Sequence, residues 1–227
     1  MKSATETGIE LSSEEWNLLR IAYRSFILTK RDSWSSVSKQ EERLSGKMKL
    51  IAKEFREKIE TEIYDICNDL LGIVDLYCNP ALATNPETKI FYLRMKADCL
   101  RYLAEIAQDE NKRKFVTESE KVYKEAFDVA KSKLQPINSL RLGLVVNYSV
   151  FYKDVMMDGE KACQLTNQAI EEAKKALKHE QEIDNDSIVI IKVKVLLQSL
   201  LVWTSIQTQG FVLSLINVEE LTFLDQR

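Results

Sequence analysis

The stretch FYLRMKADCLRYLAEIA, residues 91–107, decides the fold class, because its apolar residues recur at the spacing of a helix. Arg94 and Arg101 are seven residues apart in it, nearly two helical turns. Both therefore point the same way, about 10 Å apart along the helix axis. Tyr102 follows directly. Two guanidiniums and a phenol on one side of a helix are not expected to pack in an apolar core. This raises the question of what they face.

The composition is that of a globular protein rich in long helices. The 227 residues are 45% hydrophobic and 30% charged, which is ample material for a core. Only six glycines and three prolines are present, which disfavours sandwiches, barrels and glycine-rich phosphate loops. The net charge of −3 gives no general attraction to nucleic acid or membranes, so any basic site must be local.

Cysteine usage and the chain termini bear on the cellular compartment. The four cysteines are scattered without a CxxC or another metal-binding spacing, so we expect them to be reduced thiols. The sequence shows no signal-peptide pattern and no apolar run of about 20 residues, the length of a membrane span. These observations predict a cytoplasmic protein without a metal site.

Hydrophobic periodicity predicts an all-α chain. The stretch LSSEEW, residues 11–16, marks the first helix start, with Ser12 as the cap and Glu15 closing a capping box. No stretch alternates with period two for long enough to form a sheet. The predicted helices span about residues 12–40, 46–78, 86–108, 111–134, 138–157, 159–179 and 187–207.

The sequence carries no enzyme signature. Its one histidine, His179, lies in a charged stretch near the end of a predicted helix, where a solvated residue is expected. The SGK at residues 45–47 is not a phosphate-binding loop, because Glu41 stands where that motif needs its first glycine. We therefore predict that the protein is not an enzyme and uses no cofactor.

The first helix repeats the arginine spacing of residues 91–107. Arg24 and Arg31 are also seven residues apart, so they too share one helix face. Taken alone, each arginine pair fits an ordinary solvated face. Two pairs that face each other form a basic site instead.

Such a site suits a phosphate group. A phosphate ester brings close to two negative charges and three acceptor oxygens, which match guanidinium forks and a tyrosine hydroxyl. Arg31, Arg101 and Tyr102 are the candidate cage. Asp98 and Glu105 lie three residues before and four residues after Arg101, within reach to orient it.

The predicted fifth helix supplies an opposing wall. In RLGLVVNYSVFYKD, residues 141–154, nearly every side is apolar. Burial is therefore expected everywhere except along one strip, which holds Val146, Asn147, Val150 and Asp154. A channel that is cationic on one side and apolar on the other suits an extended phosphorylated peptide. Asn147 either holds the peptide backbone through its amide or satisfies a buried neighbour.

These motifs resemble those of the 14-3-3 family of phosphopeptide-binding adaptors. RLGLVVNYSVFY is similar to one family signature and WNLLRIAYRSF to the other. FREKIETEIYDICNDLL, YKEAFDVAK and EKACQLTNQAIEEA also match in order, so the resemblance covers about Leu11 to Thr208. It implies an antiparallel array of nine helices whose concave groove binds phosphoserine or phosphothreonine segments of client proteins.

The resemblance also assigns roles to residues. Arg31, Arg101 and Tyr102 match the family's phosphate cage, and Arg24 stands where the family has a lysine. Ser199 stands where the family has a second clamping asparagine, which implies weaker peptide binding. The implied phosphopeptide-binding set is Arg24, Arg31, Arg101, Tyr102, Val146, Asn147, Val150 and Ser199.

Two departures from the family pattern concern the chain ends. The chain begins where the family's third helix begins, and the missing helices normally build the dimer interface, so we expect a homodimer that is weak or rearranged. We predict one helical domain over residues 1–207 and an apolar C-terminal tail over 208–227, whereas many family members end in an acidic tail. The tail either binds the protein's own groove, packs as a further helix, or is disordered.

The functional prediction is a phosphoserine- or phosphothreonine-dependent adaptor that regulates its clients without a reaction of its own. The alternative is a degenerate helical scaffold that no longer recognises phosphorylated peptides.

Overall fold

A computed structural model describes residues 13–77 and 85–179, and all of its regular elements there are helical. The all-α prediction is confirmed. The first six predicted helices are present, with ends that shift by a few residues, and the predicted helix 187–207 lies outside the described residues. In chain order the helices are α1 (Ser13–Arg43), α2 (Gly46–Tyr77), α3 (Pro86–Ile106), α4 (Asp109–Lys133), α5 (Ser139–Val150) and α6 (Gly159–His179).

The fifth helix differs from its prediction in one respect. The sequence predicts a single helix over residues 138–157, but α5 ends at Val150 and continues as a π-helical turn, Phe151–Val155. Met157 then adopts a positive φ of 55°, which ends the helical path before α6.

Short polar side chains start three of the helices. Asn85 and Asn138 each accept a hydrogen bond from the backbone N–H two residues later, at 2.9 Å, at the start of α3 and α5. Asp158 accepts one from the N–H three residues later, also at 2.9 Å, at the start of α6. Each bond satisfies a backbone donor that a helix start leaves unpaired. The predicted cap of α1, Ser12, lies outside the described residues.

The chain divides into two compact units. One consists of Met1–Thr84 and Met95–Ser119, and the other of Asn85–Arg94 and Glu120–Arg227. In the first unit α1 packs along α2, and in the second α5 packs on α6. Buried apolar side chains include Leu19, Ile27, Ile63, Val74 and Leu103 in the first unit, and Ile90, Tyr123, Leu144, Val145 and Phe151 in the second.

A charged network joins α1 to α2. Arg56 of α2 donates through Nε to Glu41 of α1 and through Nη1 to Glu60, each at 2.6 Å. Trp34 of α1 also donates to Glu60, at 2.8 Å. The hydrogen bond to Glu41 is the main cause that raises the pKa of Arg56, while partial burial works in the opposite direction. These bonds fix the position of α1 along α2.

The first unit also exposes large apolar side chains. Phe26 of α1 is 64% exposed and Phe55 of α2 is 54% exposed. Large apolar patches are rare on isolated monomers, so we expect these side chains to be covered by association. The exposed residues are Leu18, Ile21 and Phe26 on α1, and Met48, Leu50, Ile51, Phe55 and Leu76 on α2.

Arg56→Ala should lower the free energy of unfolding by about 2 kcal/mol, because it leaves two largely buried carboxylates without their guanidinium. Urea denaturation is the suitable measurement, since a salt denaturant would screen the ion pairs. Lys53→Ala on the same helix is the control: Lys53 lies 3.8 Å from Glu57 in an exposed pair. It should cost at most about 0.5 kcal/mol. Equal losses in both variants would contradict the role given to Arg56.

Phe55→Lys should reduce self-association, because it places a charge in the exposed apolar surface of α1 and α2. Sedimentation across a dilution series should show that the parent chain associates at micromolar concentration and dissociates at nanomolar, with the variant dissociating earlier. Met157→Lys is the control, since Met157 is 82% exposed and belongs to the second unit. A parent chain that sediments like Phe55→Lys at every concentration would refute this expectation.

Candidate functional site

Two arginines from different helices share one carboxylate. Arg31 of α1 donates through Nε to Oε2 of Glu105 at 2.6 Å, and Arg101 of α3 donates through Nη1 to Oε1 of the same residue at 2.9 Å. A second nitrogen of Arg31, Nη2, is 2.5 Å from Oε2. Each oxygen of Glu105 therefore holds one guanidinium, and the predicted meeting of the two arginine-bearing helix faces is confirmed for this pair.

The ring of Tyr102 is the second feature that Arg31 and Arg101 share. The guanidinium carbon of Arg31 lies 4.7 Å from the ring centroid and that of Arg101 lies 4.3 Å from it. Both distances suit a cation–π interaction. Tyr102 is buried, and its ring supports the two cations.

The phenol of Tyr102 remains a hydrogen-bond donor. Burial is the largest effect on its pKa, which it raises, and the positive charges of Arg101, Arg31 and Arg24 oppose that rise only in part. A protonated phenol near two guanidiniums presents a donor to an anion. Arg24 is half-buried and close enough for its charge to act on Tyr102.

Arg101 is more enclosed than Arg31. Its side chain is 7% exposed, compared with 16% for Arg31. Besides its bond to Glu105, it lies 3.8 Å from Asp98 through Nη2. The prediction that Asp98 and Glu105 orient Arg101 is therefore confirmed. The pairing of Glu105 with Arg31 was not predicted, because the two residues are 74 positions apart.

The charges of this group sum to a positive value. Three guanidiniums, of Arg24, Arg31 and Arg101, stand against the two carboxylates of Asp98 and Glu105. Because the site is largely withdrawn from solvent, its electrostatic interactions are stronger than the same charges would make in water. The arrangement is chemically suited to bind an anion with several acceptor oxygens. No group of residues suited to hold a metal ion occurs within the described ranges.

The strip predicted on α5 is present in the second unit. From residue 141 to 152, only Val146, Asn147 and Val150 are half-buried, and all the others are buried. Val146 packs in part against the apolar cluster formed by Leu142 of α5 and Ala173 of α6. Asn147 has contacts of its own within the protein. The prediction of one accessible strip on a buried helix is confirmed, whereas the ligand of the strip stays a prediction.

Polar contacts hold the other side of α5 in place, and none of them was predicted. The hydroxyls of Tyr148 and Tyr152 are 2.8 Å apart, and Tyr152 donates to Glu120 of α4 at 3.1 Å. Arg141 donates to the carbonyl of Leu134 at 2.9 Å and also to the carboxylate of Glu172. Ser199 and the tail 208–227 lie outside the described residues.

The sequence was also compared with known proteins. The family model for the 14-3-3 protein matches residues 1–204.

This chain belongs to the 14-3-3 family. It is 45% identical to 14-3-3 protein beta/alpha of Xenopus tropicalis over 213 residues, which cover 92% of this chain and 86% of that protein. It is 44% identical to 14-3-3 protein zeta of Bombyx mori, over 92% of this chain and 85% of that protein.

Family membership settles the class of function. The 14-3-3 family binds phosphorylated client proteins and forms dimers, and its members are adaptors, not enzymes. The chain is thus a phosphopeptide-binding adaptor, and nothing supports the alternative of a degenerate scaffold. Among the described helices, none is long and apolar enough to span a membrane.

Glu105→Gln should lower the free energy of unfolding by about 2 kcal/mol, because it removes the charge that two guanidiniums share. Inorganic phosphate should stabilise this variant more than the parent chain, since a bound anion replaces the missing charge. Urea denaturation with phosphate, and with sodium chloride at matched ionic strength, measures both effects. Glu118→Gln, at an exposed position of α4, is the control. A loss no larger than that of the control would show that Glu105 does not hold the arginines.

Proposed function

We propose that Arg31, Arg101 and Tyr102 bind the phosphate of a phosphoserine or phosphothreonine in client proteins, with Arg24 adding positive charge. The observation that carries this proposal is the convergence of Arg31 and Arg101 on one carboxylate and one aromatic ring. Guanidiniums in fixed positions match the oxygens of a phosphate ester.

The proposed mechanism depends on the charge of the ligand. A phosphate ester near neutral pH carries close to two negative charges, whereas an unmodified serine carries none. The guanidiniums are held in place before the ligand arrives, so little conformational freedom is lost on binding. Binding therefore requires phosphorylation of the client, and it weakens below about pH 6, where the ester takes up its second proton.

A second group of residues contacts the rest of the peptide in this proposal. Asn147 hydrogen bonds to the peptide backbone, while Val146 and Val150 contact its apolar side chains. The support is their place on the accessible strip of α5 and the resemblance to the family motif. Ser199 takes part as well, with a shorter reach than an asparagine would have.

The proposed adaptor changes the conformation, location or partners of its clients, and it works in the cytoplasm. We further propose that residues 1–207 form one helical domain and that the chain associates as a weak or rearranged homodimer. The apolar tail 208–227 is proposed to bind the phosphopeptide site of its own chain.

Arg101→Ala and Arg31→Ala should each weaken binding of a phosphoserine peptide at least about ten-fold, because hydrogen bonds to charged groups contribute roughly 1.5–3 kcal/mol each. Fluorescence anisotropy with a labelled phosphopeptide and its unphosphorylated twin measures this directly. Arg113→Ala is the matched control, since Arg113 is an exposed arginine paired with Glu110.

The parent chain should bind the unphosphorylated twin at least about 100-fold more weakly, because the twin lacks two hydrogen bonds to charged groups, each worth roughly 1.5–3 kcal/mol. Parent-like affinity in both Arg31→Ala and Arg101→Ala would show that the phosphate binds elsewhere.

A further inference from the structure

Two cysteines from different helices meet in the core of the first unit. Cys67 of α2 is 0% exposed and Cys99 of α3 is 1% exposed, and both are free thiols. A hydrogen bond joins their side chains. Because the two residues are far apart in the sequence, it is the packing of α2 and α3 that brings the sulfur atoms together.

The surroundings of the pair show that each cysteine lies on the core face of its helix. The residues about one helical turn from each cysteine on the same face are large, apolar and buried. They are Ile63 and Leu70 on α2, and Met95 and Leu103 on α3. Outside this core, Lys96 of α3 donates a hydrogen bond to Asp75 of α2 at 2.6 Å. The two helices therefore lie side by side, with both thiols between their packed faces.

Two thiols in contact have a reaction open to them that a single buried thiol lacks. Oxidation of a cysteine by a peroxide gives a sulfenic acid, which condenses with a neighbouring thiol to a disulfide. A disulfide needs sulfur atoms that face each other across a short gap, and hydrogen-bonded thiols meet this need. Because the second thiol is already in place, condensation competes well with further oxidation to a sulfinic acid.

We propose that Cys67 and Cys99 are an oxidisable pair that forms a disulfide bond between α2 and α3 when the protein meets hydrogen peroxide. One thiol attacks a peroxide oxygen, the O–O bond breaks, and a sulfenic acid and one water form. The second thiol then displaces the hydroxyl group from that sulfur, which forms the S–S bond and releases a second water. The two electrons and two protons that the thiols lose reduce the peroxide to these two waters.

The environment of the pair makes this reaction slow. The hydrogen bond to Cys67 is the main cause that raises the pKa of Cys99 well above its ordinary value, and burial raises it further. A thiol with a raised pKa is a poor nucleophile at neutral pH, because the thiolate is the reactive form. The pair therefore reacts during local separation of α2 and α3, and it responds to sustained oxidation rather than to a brief exposure.

The disulfide cross-links α2 to α3 and closes a loop of about 30 residues. A cross-link of this kind restricts the unfolded chain, so the thermal midpoint of the oxidised protein should rise by about 5 °C. Since α3 also carries Arg101 and Tyr102, oxidation fastens the helix of the arginine group to its neighbour. The inference does not rest on the proposed function, because it concerns only the core of the first unit.

The test treats the full chain with hydrogen peroxide in small molar excess and then alkylates the remaining thiols in denaturant. Peptide mapping by mass spectrometry without a reductant should find Cys67 linked to Cys99, with the loss of two hydrogen atoms. A thermal melt of the same sample should show the rise of about 5 °C relative to the reduced chain.

Cys67→Ala and Cys99→Ala should each abolish the rise, whereas Cys163→Ala should retain it. Cys163 is the matched control because it is a half-buried free thiol of the second unit. Oxidised and reduced samples of the same variant are compared, so any loss of stability caused by the substitution itself cancels. If a variant fails to fold, peptide mapping of the parent chain decides the question.

Several outcomes would overturn the inference. They are a parent chain in which both thiols remain open to alkylation, a linkage to Cys78 or Cys163 in place of this one, sulfinic acid as the main product, and a midpoint rise that persists in Cys99→Ala. None of these results bears on the binding of phosphopeptides.

Discussion

The shared carboxylate of Glu105 is the interaction on which the proposed phosphate site depends. It brings together Arg31 and Arg101, two cations that would otherwise repel each other in a region partly withdrawn from solvent. With one oxygen for each guanidinium, Glu105 holds both cations close to one point. It carries a single negative charge, however, and the proposed ligand carries close to two. The site is therefore organised for an anion, and its own carboxylates leave it with a net positive charge.

This arrangement requires that α1 be held rigidly, since α1 supplies Arg31. The network of Arg56 with Glu41 and Glu60 performs this task between α1 and α2. Its charged side chains are only 14 to 18% exposed, so it is screened less than a surface ion pair would be. The two polar networks of the first unit are thus linked: one positions the helix, and the other positions the arginine that the helix carries. Both lower the conformational cost of binding an anion.

The sequence predicted those features that depend on neighbours along one helix. The helical periods placed six elements. The spacing of Asp98 and Glu105 around Arg101 was sufficient to predict their contacts, because residues three and four apart are neighbours on a helix surface. The bond between Glu105 and Arg31 could not be predicted in this way, since it depends on which helix faces meet. The π-helical turn after Val150 was missed because an α-helix and a short π-helical turn differ in hydrogen-bond register, which no residue pattern in 151–155 reveals.

The second unit shows why a helix that is almost entirely apolar carries a polar residue at its surface. The inner side of α5 and of the π-helical turn pairs its polar groups internally, through the hydroxyls of Tyr148 and Tyr152 and the carboxylate of Glu120. A buried amide without partners would cost free energy, and Asn147 both lies on the accessible strip and has contacts of its own within the protein. Within the proposed function, the amide of Asn147 recognises the backbone that all peptides share, and the arginines of the first unit recognise a modification that few peptides carry. The first interaction would permit many clients, and the second would make binding conditional on phosphorylation.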